Sequence, residues 1–166
     1  MFSLDQEQGS IGEVWAYQQL LKRGWPVRRM LDFQHRAYDM EIGDLPIEVK
    51  HARTTYRLRQ RQGVQIRKPR WQWFIHNTSK ALDHADWVLI LIAQDDHANL
   101  YPYIMPGNLL AGRNHLQLTS HPDQYHGWLN DWRDQWGVIA FLTQKSYIDG
   151  GPTYHQWKAA QERIRA

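Results

Sequence analysis

The 166-residue chain contains no cysteine. Without thiols it has no disulfide bonds and no metal site built on thiolate ligands. A chain of this length buries a core without covalent cross-links, and no linker-like tract divides it. We therefore expect one domain that spans residues 1–166.

Long apolar runs are also missing. The longest, WVLILIA at 87–93, is far shorter than the roughly 20 residues of a membrane-spanning helix, and it predicts a buried strand. No apolar stretch follows the opening MFSLDQEQGS, as it would in a secretory signal. We therefore expect a soluble, cytoplasmic protein with no membrane partner.

Acidic residues are absent from one long stretch, Val49 to Leu82, which holds nine of the 20 lysines and arginines. The alternative to a functional surface is an ordinary solvated loop, but such loops usually mix charges of both signs. A segment of one positive sign is typical of proteins that bind a polyanion, and we favour nucleic acid. The side chains that we expect to contact it are Arg53, Arg57, Arg59, Arg61, Arg67, Lys68 and Arg70.

Local patterns predict a helix near the start of the chain, over residues 11–23. Apolar side chains recur there at helical spacing, Ser10 and Glu13 form an S-x-x-E capping box, and Gly24 is a suitable stop. A strand is expected at 25–31. The runs DMEI and PIEVK that follow predict the two strands of a hairpin, joined through the intervening GDL.

The rest of the chain predicts further strands and C-terminal helices. Residues 51–70 have no clear period, so we expect a long loop or a distorted extension of the hairpin. Residues 71–84 fit a helix, although their aromatic residues equally fit a strand. The later expectations are strands at 86–93 and 100–106 and helices around 122–136 and 152–165. Together these elements indicate a mixed α/β domain.

The hairpin carries charged residues where a strand favours apolar ones. Because alternate strand residues share a face, Glu48 and Lys50 point one way while Ile47 and Val49 are buried behind them. If the strands pair through the short turn, Asp39 meets Glu48 at one end of the sheet. Two neighbouring carboxylates repel unless a cation lies between them, and their oxygens suit Mg²⁺ or Mn²⁺.

A simpler interpretation is a hairpin with one polar face. Glu48 and Lys50 would then form cross-strand ion pairs and nothing more. Spacing alone favours this alternative, because an Asp followed by Glu-x-Lys occurs often by chance.

The same stretch resembles the PD-(D/E)xK nuclease superfamily, which includes restriction enzymes, Holliday-junction resolvases and RecB-like nucleases. The signature is an Asp on one strand and Glu/Asp-x-Lys on the next, often preceded by a helix that bears a Glu. Asp39, the run Glu48-Val49-Lys50 and Glu13 match these positions, whereas Tyr38 stands where the name motif has Pro. The resemblance covers residues 9 to about 53, and strand 86–93 fits the next core strand loosely.

This resemblance implies a fold, namely a restriction-endonuclease-like mixed sheet flanked by helices in the order α-β-β-β-α-β, here with additional C-terminal helices. It also implies roles for four residues. Asp39 and Glu48 would bind Mg²⁺, for which Mn²⁺ would substitute, and Lys50 would position or activate water. Glu13 would assist them, unless it only caps its helix.

The implied function is a divalent-metal-dependent endonuclease that hydrolyses phosphodiester bonds in duplex or branched DNA. Branched junctions, a specific duplex site and single-stranded ends all remain open as substrates. Because one small domain holds one active site, cutting both strands requires a homodimer or a higher homo-oligomer. The alternative is a non-catalytic nucleic-acid-binding module that retains the nuclease fold.

Overall fold

The computed structural model describes residues 4–30, 37–75 and 80–166. Its helices are α1 (Leu4–Lys22), α2 (Gly137–Thr143) and α3 (Tyr154–Arg165). Its strands are β1 (Val27–Arg29), β2 (Met40–Ile42), β3 (Leu45–Arg53), β4 (Thr55–Arg61), β5 (Val64–Phe74), β6 (Val88–Gln94), β7 (Leu100–Pro106) and β8 (His115–Leu118). Short 3-10 helices lie at Lys80–Asp83, Gly107–Leu110 and Trp128–Trp132. No helix in these ranges is long and apolar enough to cross a membrane.

The larger sheet has five strands in the order β1-β2-β3-β6-β7. Neighbouring strands are antiparallel except for the central pair, β3 and β6, which run parallel. The near-continuous apolar run of β6 is buried, as expected for a strand covered on both faces. Helices α1, α2 and α3 cover one face, where Ile47, Val49 and Ile90 join one apolar cluster.

The smaller sheet has the order β4-β5-β8 and covers the other face of the larger one. Trp71 and Trp73 of β5 are buried between the sheets. The indole N–H of Trp71 donates to the Gln94 carbonyl at 2.9 Å, and that of Trp73 donates to the Ile92 carbonyl at 3.2 Å. These bonds attach the smaller sheet to β6, and they satisfy the only polar atom of each buried indole.

The structure confirms the mixed α/β fold class and several of the predicted elements. Helix α1 ends as predicted: Gly24 has a φ of +84°, and the Trp25 N–H donates to the Leu20 carbonyl at 3.0 Å. Strands β6 and β7 and the β2–β3 hairpin lie where the sequence predicts them. Helix α3 begins with a capping box formed by Thr153 and Gln156.

The predicted start of the first helix is wrong. Helix α1 begins at Leu4, so Ser10 lies inside it and the Ser10–Glu13 capping box does not exist. A serine interrupts a helix only slightly, and the Leu, Gln and Glu residues before it favour helical structure. Glu13 therefore lies in the middle of α1.

The expectation of a loop at 51–70 is also wrong. Strand β3 continues to Arg53, and β4 and β5 then form a long antiparallel hairpin. Gln62 and Gly63 both have positive φ, as the two central residues of a tight hairpin turn require. The sequence lacks an apolar period because every residue of β4 is exposed, so neither face of this hairpin selects apolar residues.

Two predicted helices are replaced by other structure. In the described residues no α-helix lies between β3 and β6, and the crossover between these parallel strands contains the β4–β5 hairpin and the 3-10 helix Lys80–Asp83. Residues 71–74 form a strand, which was the second expectation for that segment. The helix expected at 122–136 is wrong, since only a 3-10 turn forms there and Asp134 has a φ of +55° that ends it.

Candidate active site and basic ribbon

Asp39 is almost completely buried, with 4% of its surface exposed. Its carboxylate Oδ2 accepts a hydrogen bond from the Val49 N–H at 2.7 Å. Its own N–H donates to the Ile47 carbonyl at 3.0 Å. The two bonds reach β3 on either side of Glu48, so they hold Asp39 beside that residue and satisfy part of the hydrogen bonding that a buried carboxylate requires.

Glu48 and Lys50 lie on the face of β3 opposite the buried residues Leu45, Ile47 and Val49. Ile47 and Val49 pack into the core beneath α1, while Glu48 and Lys50 remain half-buried. The hairpin pairs Met40 with Ile47, and this register brings the end of β2 to the level of Glu48. The fold therefore brings the predicted Asp and Glu-x-Lys residues to one short segment of the sheet.

This segment fits the donor requirements of Mg²⁺. In the part of the chain that the structure describes, no group of three or more His, Cys, Asp or Glu side chains could hold a metal ion. Mg²⁺ needs fewer protein ligands, because it is usually held by one or two carboxylates while water and substrate phosphates complete its shell. Asp39 and Glu48 offer those two carboxylates.

Glu13, the fourth residue of the predicted site, lies on helix α1. Its Oε2 lies 3.6 Å from the guanidinium of Arg29 on β1. Helix α1 packs tightly here: a Cβ added to Gly12 would lie 2.7 Å from the Cβ of His51, so the contact between α1 and β3 requires glycine. His51 shares its face of β3 with Val49, whereas Lys50 faces the other way. Glu13 is thus placed on the α1 side of the sheet, and a role in catalysis stays a prediction.

Glu41 shares its strand with the candidate site but has other partners. The Tyr38 hydroxyl donates to its Oε2 at 2.8 Å, and Arg28 pairs with its Oε1. The Tyr38 bond is the main cause that lowers the pKa of Glu41 below its ordinary value; burial opposes it and Arg28 adds to it. The Tyr38 ring also meets Trp87 edge-on at 5.4 Å. Tyr38, which replaces the Pro of the motif, therefore anchors the chain just before Asp39.

The predicted nucleic-acid contacts fall mainly on the β4–β5 hairpin, Thr55–Arg61 paired with Val64–Arg70, which we call the basic ribbon. In its register, residues that are paired directly share a face. One face, which we call the cationic face, carries five of the seven predicted side chains: Arg57, Arg59, Arg61, Lys68 and Arg70. Arg67 lies on the opposite face and stacks on the Tyr56 ring at 4.2 Å. Arg53 is exposed at the end of β3.

Sequence reasoning missed two polar residues at the base of the ribbon. Gln117 of β8 pairs with Gln72 of β5, and their side-chain amides are 3.1 Å apart. Thr119 follows β8, and both Gln117 and Thr119 line a cleft that they share with cations of the ribbon. Nothing in the sequence pointed to this contact, because β8 lies about 45 residues away and is only four residues long.

A second missed cluster surrounds Asp95 in the turn between β6 and β7. Its carboxylate accepts bonds from the Asn99 backbone at 2.9 Å, the Asn99 side chain at 3.1 Å and the Tyr101 hydroxyl at 3.1 Å, with His121 Nε2 at 3.4 Å. Burial raises the pKa of Asp95, but these bonds outweigh it and lower the pKa to about 2. The cluster fixes the turn beside the basic ribbon.

No protein-family model matches the chain, and comparison with curated proteins gives no match. Among solved structures, the chain is similar to a bacterial homing endonuclease, I-Ssp6803I, with a TM-score of 0.52 and 17% sequence identity. The alignment covers 87% of this chain and 97% of that protein. At this identity the likeness shows a common fold, in agreement with the mixed α/β architecture.

Proposed function

We propose that the chain is a divalent-metal-dependent endonuclease that hydrolyses DNA. The observation that carries this proposal is the position of Asp39, buried and hydrogen-bonded to β3 between Ile47 and Val49, beside Glu48 and Lys50. A buried carboxylate next to a second one is costly unless a cation or hydrogen bonds compensate it. The similarity in fold to a homing endonuclease supports the same reading.

In this proposal the chain's own residues place the reacting groups. Asp39 and Glu48 would hold Mg²⁺, which when bound would polarise the phosphodiester and acidify a bound water. Lys50, one alternate position along the same face, orients that water or stabilises negative charge that grows on the phosphoryl oxygens. The Val49 N–H keeps the Asp39 carboxylate fixed throughout, so no reorientation is needed during the reaction.

The basic ribbon supplies the binding free energy. Within the described residues none of the ion pairs involves a cation of its cationic face, so these charges are available to phosphates. One site per chain cuts one strand at a time. We therefore also propose a homodimer for cleavage of both strands.

A non-catalytic DNA-binding module with the same fold is the second candidate. It is favoured by the ribbon, which needs no metal to bind phosphates. Both candidates predict DNA binding, so only chemistry separates them.

The test is a cleavage assay on linear, nicked and four-way DNA with Mg²⁺, Mn²⁺, Ca²⁺ or chelator. We expect cleavage of a duplex or branched substrate with Mg²⁺ and Mn²⁺, and binding with little turnover in Ca²⁺, which is larger and more loosely coordinated. DNA binding without cleavage of any substrate would favour the non-catalytic module. A chain that neither binds nor cuts DNA would overturn both.

A further inference from the structure

The basic ribbon is a free two-stranded arm over most of its length. Seven residue pairs join Thr55–Arg61 to Val64–Arg70. At about 3.4 Å per residue, the paired part is about 20 Å long. The third strand, β8, pairs only with the inner end of β5, from Trp71 to Phe74. Beyond that point the ribbon has two strands and exposed side chains.

Charge is distributed unevenly between the two faces of this arm. The cationic face holds five positive side chains and, near its tip, the apolar residues Val64 and Ile66. The opposite face has one cation, Arg67, whose guanidinium is stacked on Tyr56. The Tyr56 hydroxyl in turn bonds to Asp96 in the β6–β7 turn. One face is therefore suited to a polyanion, while the other is partly occupied by contacts within the protein.

A cleft lies where the cationic face meets β8. It has a volume of about 160 Å³ and is lined by Arg57, Arg59, Lys68, Pro69, Arg70, Gln117 and Thr119. The Nε of Arg70 is shielded from solvent and has no hydrogen-bond partner among the described residues. A buried guanidinium N–H without a partner is costly. Four cations, an amide and a hydroxyl around one small cleft fit a single phosphate group.

We propose that the basic ribbon enters the major groove of duplex DNA with its cationic face towards the bases, while this cleft holds a backbone phosphate at the groove edge. The inference rests on the proposed function, since it describes how that DNA substrate is held. Two strands about 4.8 Å apart with their side chains fit a groove about 12 Å wide. The three-stranded base of the sheet is too wide to follow and stops at the phosphates.

The widths of the grooves exclude the DNA minor groove and the RNA duplex from this mode of binding. The minor groove of DNA is only about 6 Å wide, and the major groove of an RNA duplex is too narrow and deep for side chains to read. Within the DNA major groove, Arg61, which shares the cationic face but does not line the cleft, reaches the paired acceptor atoms of guanine. The ribbon would therefore add base recognition to charge attraction.

The experiment compares affinities of the full chain, in chelator so that no cleavage occurs, for matched duplexes. The probes are a plain DNA duplex, the same duplex with glucosylated 5-hydroxymethylcytosine, which fills the major groove, and an RNA duplex of the same sequence. We expect the two altered duplexes to bind about tenfold more weakly or worse, as the loss of one or two base contacts implies. Netropsin, which fills the minor groove, should change affinity less than about twofold. Equal affinity for the plain and glucosylated duplexes, or displacement by netropsin, would overturn the inference.

A matched pair of variants tests which face of the ribbon contacts the DNA bases. Arg61→Ala removes a charge from the cationic face outside the cleft, and Arg67→Ala removes the same charge from the opposite face. Arg61→Ala should reduce both the affinity and the penalty for glucosylation, whereas Arg67→Ala should leave that penalty unchanged. Equal effects of the two variants would contradict the assigned orientation. Circular dichroism verifies that each variant is folded, and Arg61→Gln and Arg67→Gln replace the alanine variants if either of those is unfolded.

The outcome also separates this inference from the proposed function. If the chain cleaves plain duplex with metal but binds plain and glucosylated duplexes equally well, the placement of the ribbon in the major groove is wrong. The proposed endonuclease function would then still stand. If the chain binds plain duplex more tightly than glucosylated duplex but cleaves neither with any metal, the placement of the ribbon is supported and the nuclease function is refuted.

Discussion

Asp39 is the residue on which the candidate site depends most. It is buried, and its Oδ2 accepts the Val49 N–H at 2.7 Å. An asparagine has the same shape and keeps an oxygen acceptor for that bond, but it carries no charge and binds Mg²⁺ poorly. The substitution therefore separates the structural part of the residue from its proposed chemistry.

We expect Asp39→Asn to abolish Mg²⁺-dependent cleavage. Without metal its melting temperature should be unchanged or slightly raised, because the repulsion between Asp39 and Glu48 is removed. Glu41→Gln is the control, because it removes one carboxylate charge two residues further along the chain, in β2. Glu41 is bonded to Tyr38 and Arg28, so its loss should cost about 1 kcal/mol of stability and leave cleavage intact. The reverse pattern, with activity lost in Glu41→Gln alone, would contradict the assignment.

Lys50 should matter to the chemical step more than to binding. A contact made mainly in the transition state contributes little to the affinity for bound substrate. Lys50→Ala should therefore lose most cleavage while the Kd for DNA stays within a few-fold of the wild type. Single-turnover cleavage and a binding titration on the same duplex measure the two quantities. Retained cleavage with weakened binding would make Lys50 a phosphate contact instead.

Asp95 gives the fold a dependence on acid pH. Its pKa is about 2 in the folded chain because the bonds from Asn99, Tyr101 and His121 outweigh the effect of burial. The unfolded value is about 4, so the stabilisation is complete above that pH and is lost as the pH falls towards about 2. We expect Asp95→Asn to lower the free energy of unfolding at pH 7 by about 1 kcal/mol, allowing for solvent screening. The difference from the wild type should become small as the pH falls through about 2, and denaturant unfolding from pH 7 to 2 measures it.

At the scale of elements, we expect the basic ribbon to set the salt dependence of DNA binding. Arg57, Arg59 and Arg61 alternate along β4 and share one face, so we expect them to contact the same ligand. Replacing all three with Ala should weaken binding to every duplex sequence. Each lost phosphate contact should lower the slope of log K against log salt by about 0.9. Arg163→Ala and Arg165→Ala, at the end of α3, are controls that remove charge elsewhere, and a triple variant with an unchanged slope would show that the ribbon faces away from DNA.

The same element shows where sequence reasoning fails. The ribbon has both faces in solvent, so its residues carry no apolar alternation and read as a loop. Strand β6 is the opposite case, because burial on both faces gives it the apolar run that predicts it. The spacing of Ser10 and Glu13 predicted a capping box at the start of the helix, although the helix begins at Leu4. Patterns thus predict elements that bury a face, while exposed arms and helix starts depend on the rest of the fold.

At the scale of the whole molecule, we propose that one sheet carries the cleavage site and the other carries the DNA-binding surface. The larger sheet carries Asp39, Glu48 and Lys50 on its β2–β3 hairpin, and their juxtaposition was predictable because one short turn joins the two strands. The smaller sheet carries the ribbon and packs onto β6 through Trp71 and Trp73. Its contact with β8, and hence the cleft between the ribbon and β8, depends on residues distant in sequence and was not predictable. The crossover between β3 and β6, expected to include a helix, contains the basic ribbon instead.

The central claim is that the Asp39 and Glu48 carboxylates hold the divalent ion that cleavage requires. Calorimetric titration with Mn²⁺ in the presence of duplex DNA tests it most directly, with wild type compared with Glu48→Gln. We predict metal binding to the wild type, its loss in the variant, and the parallel loss of cleavage in the same samples. If Glu48 were only an ion-pair partner, the variant would lose a little stability and bind Mn²⁺ as the wild type does. Absence of metal binding by the wild type, with no cleavage of any substrate, would contradict the account.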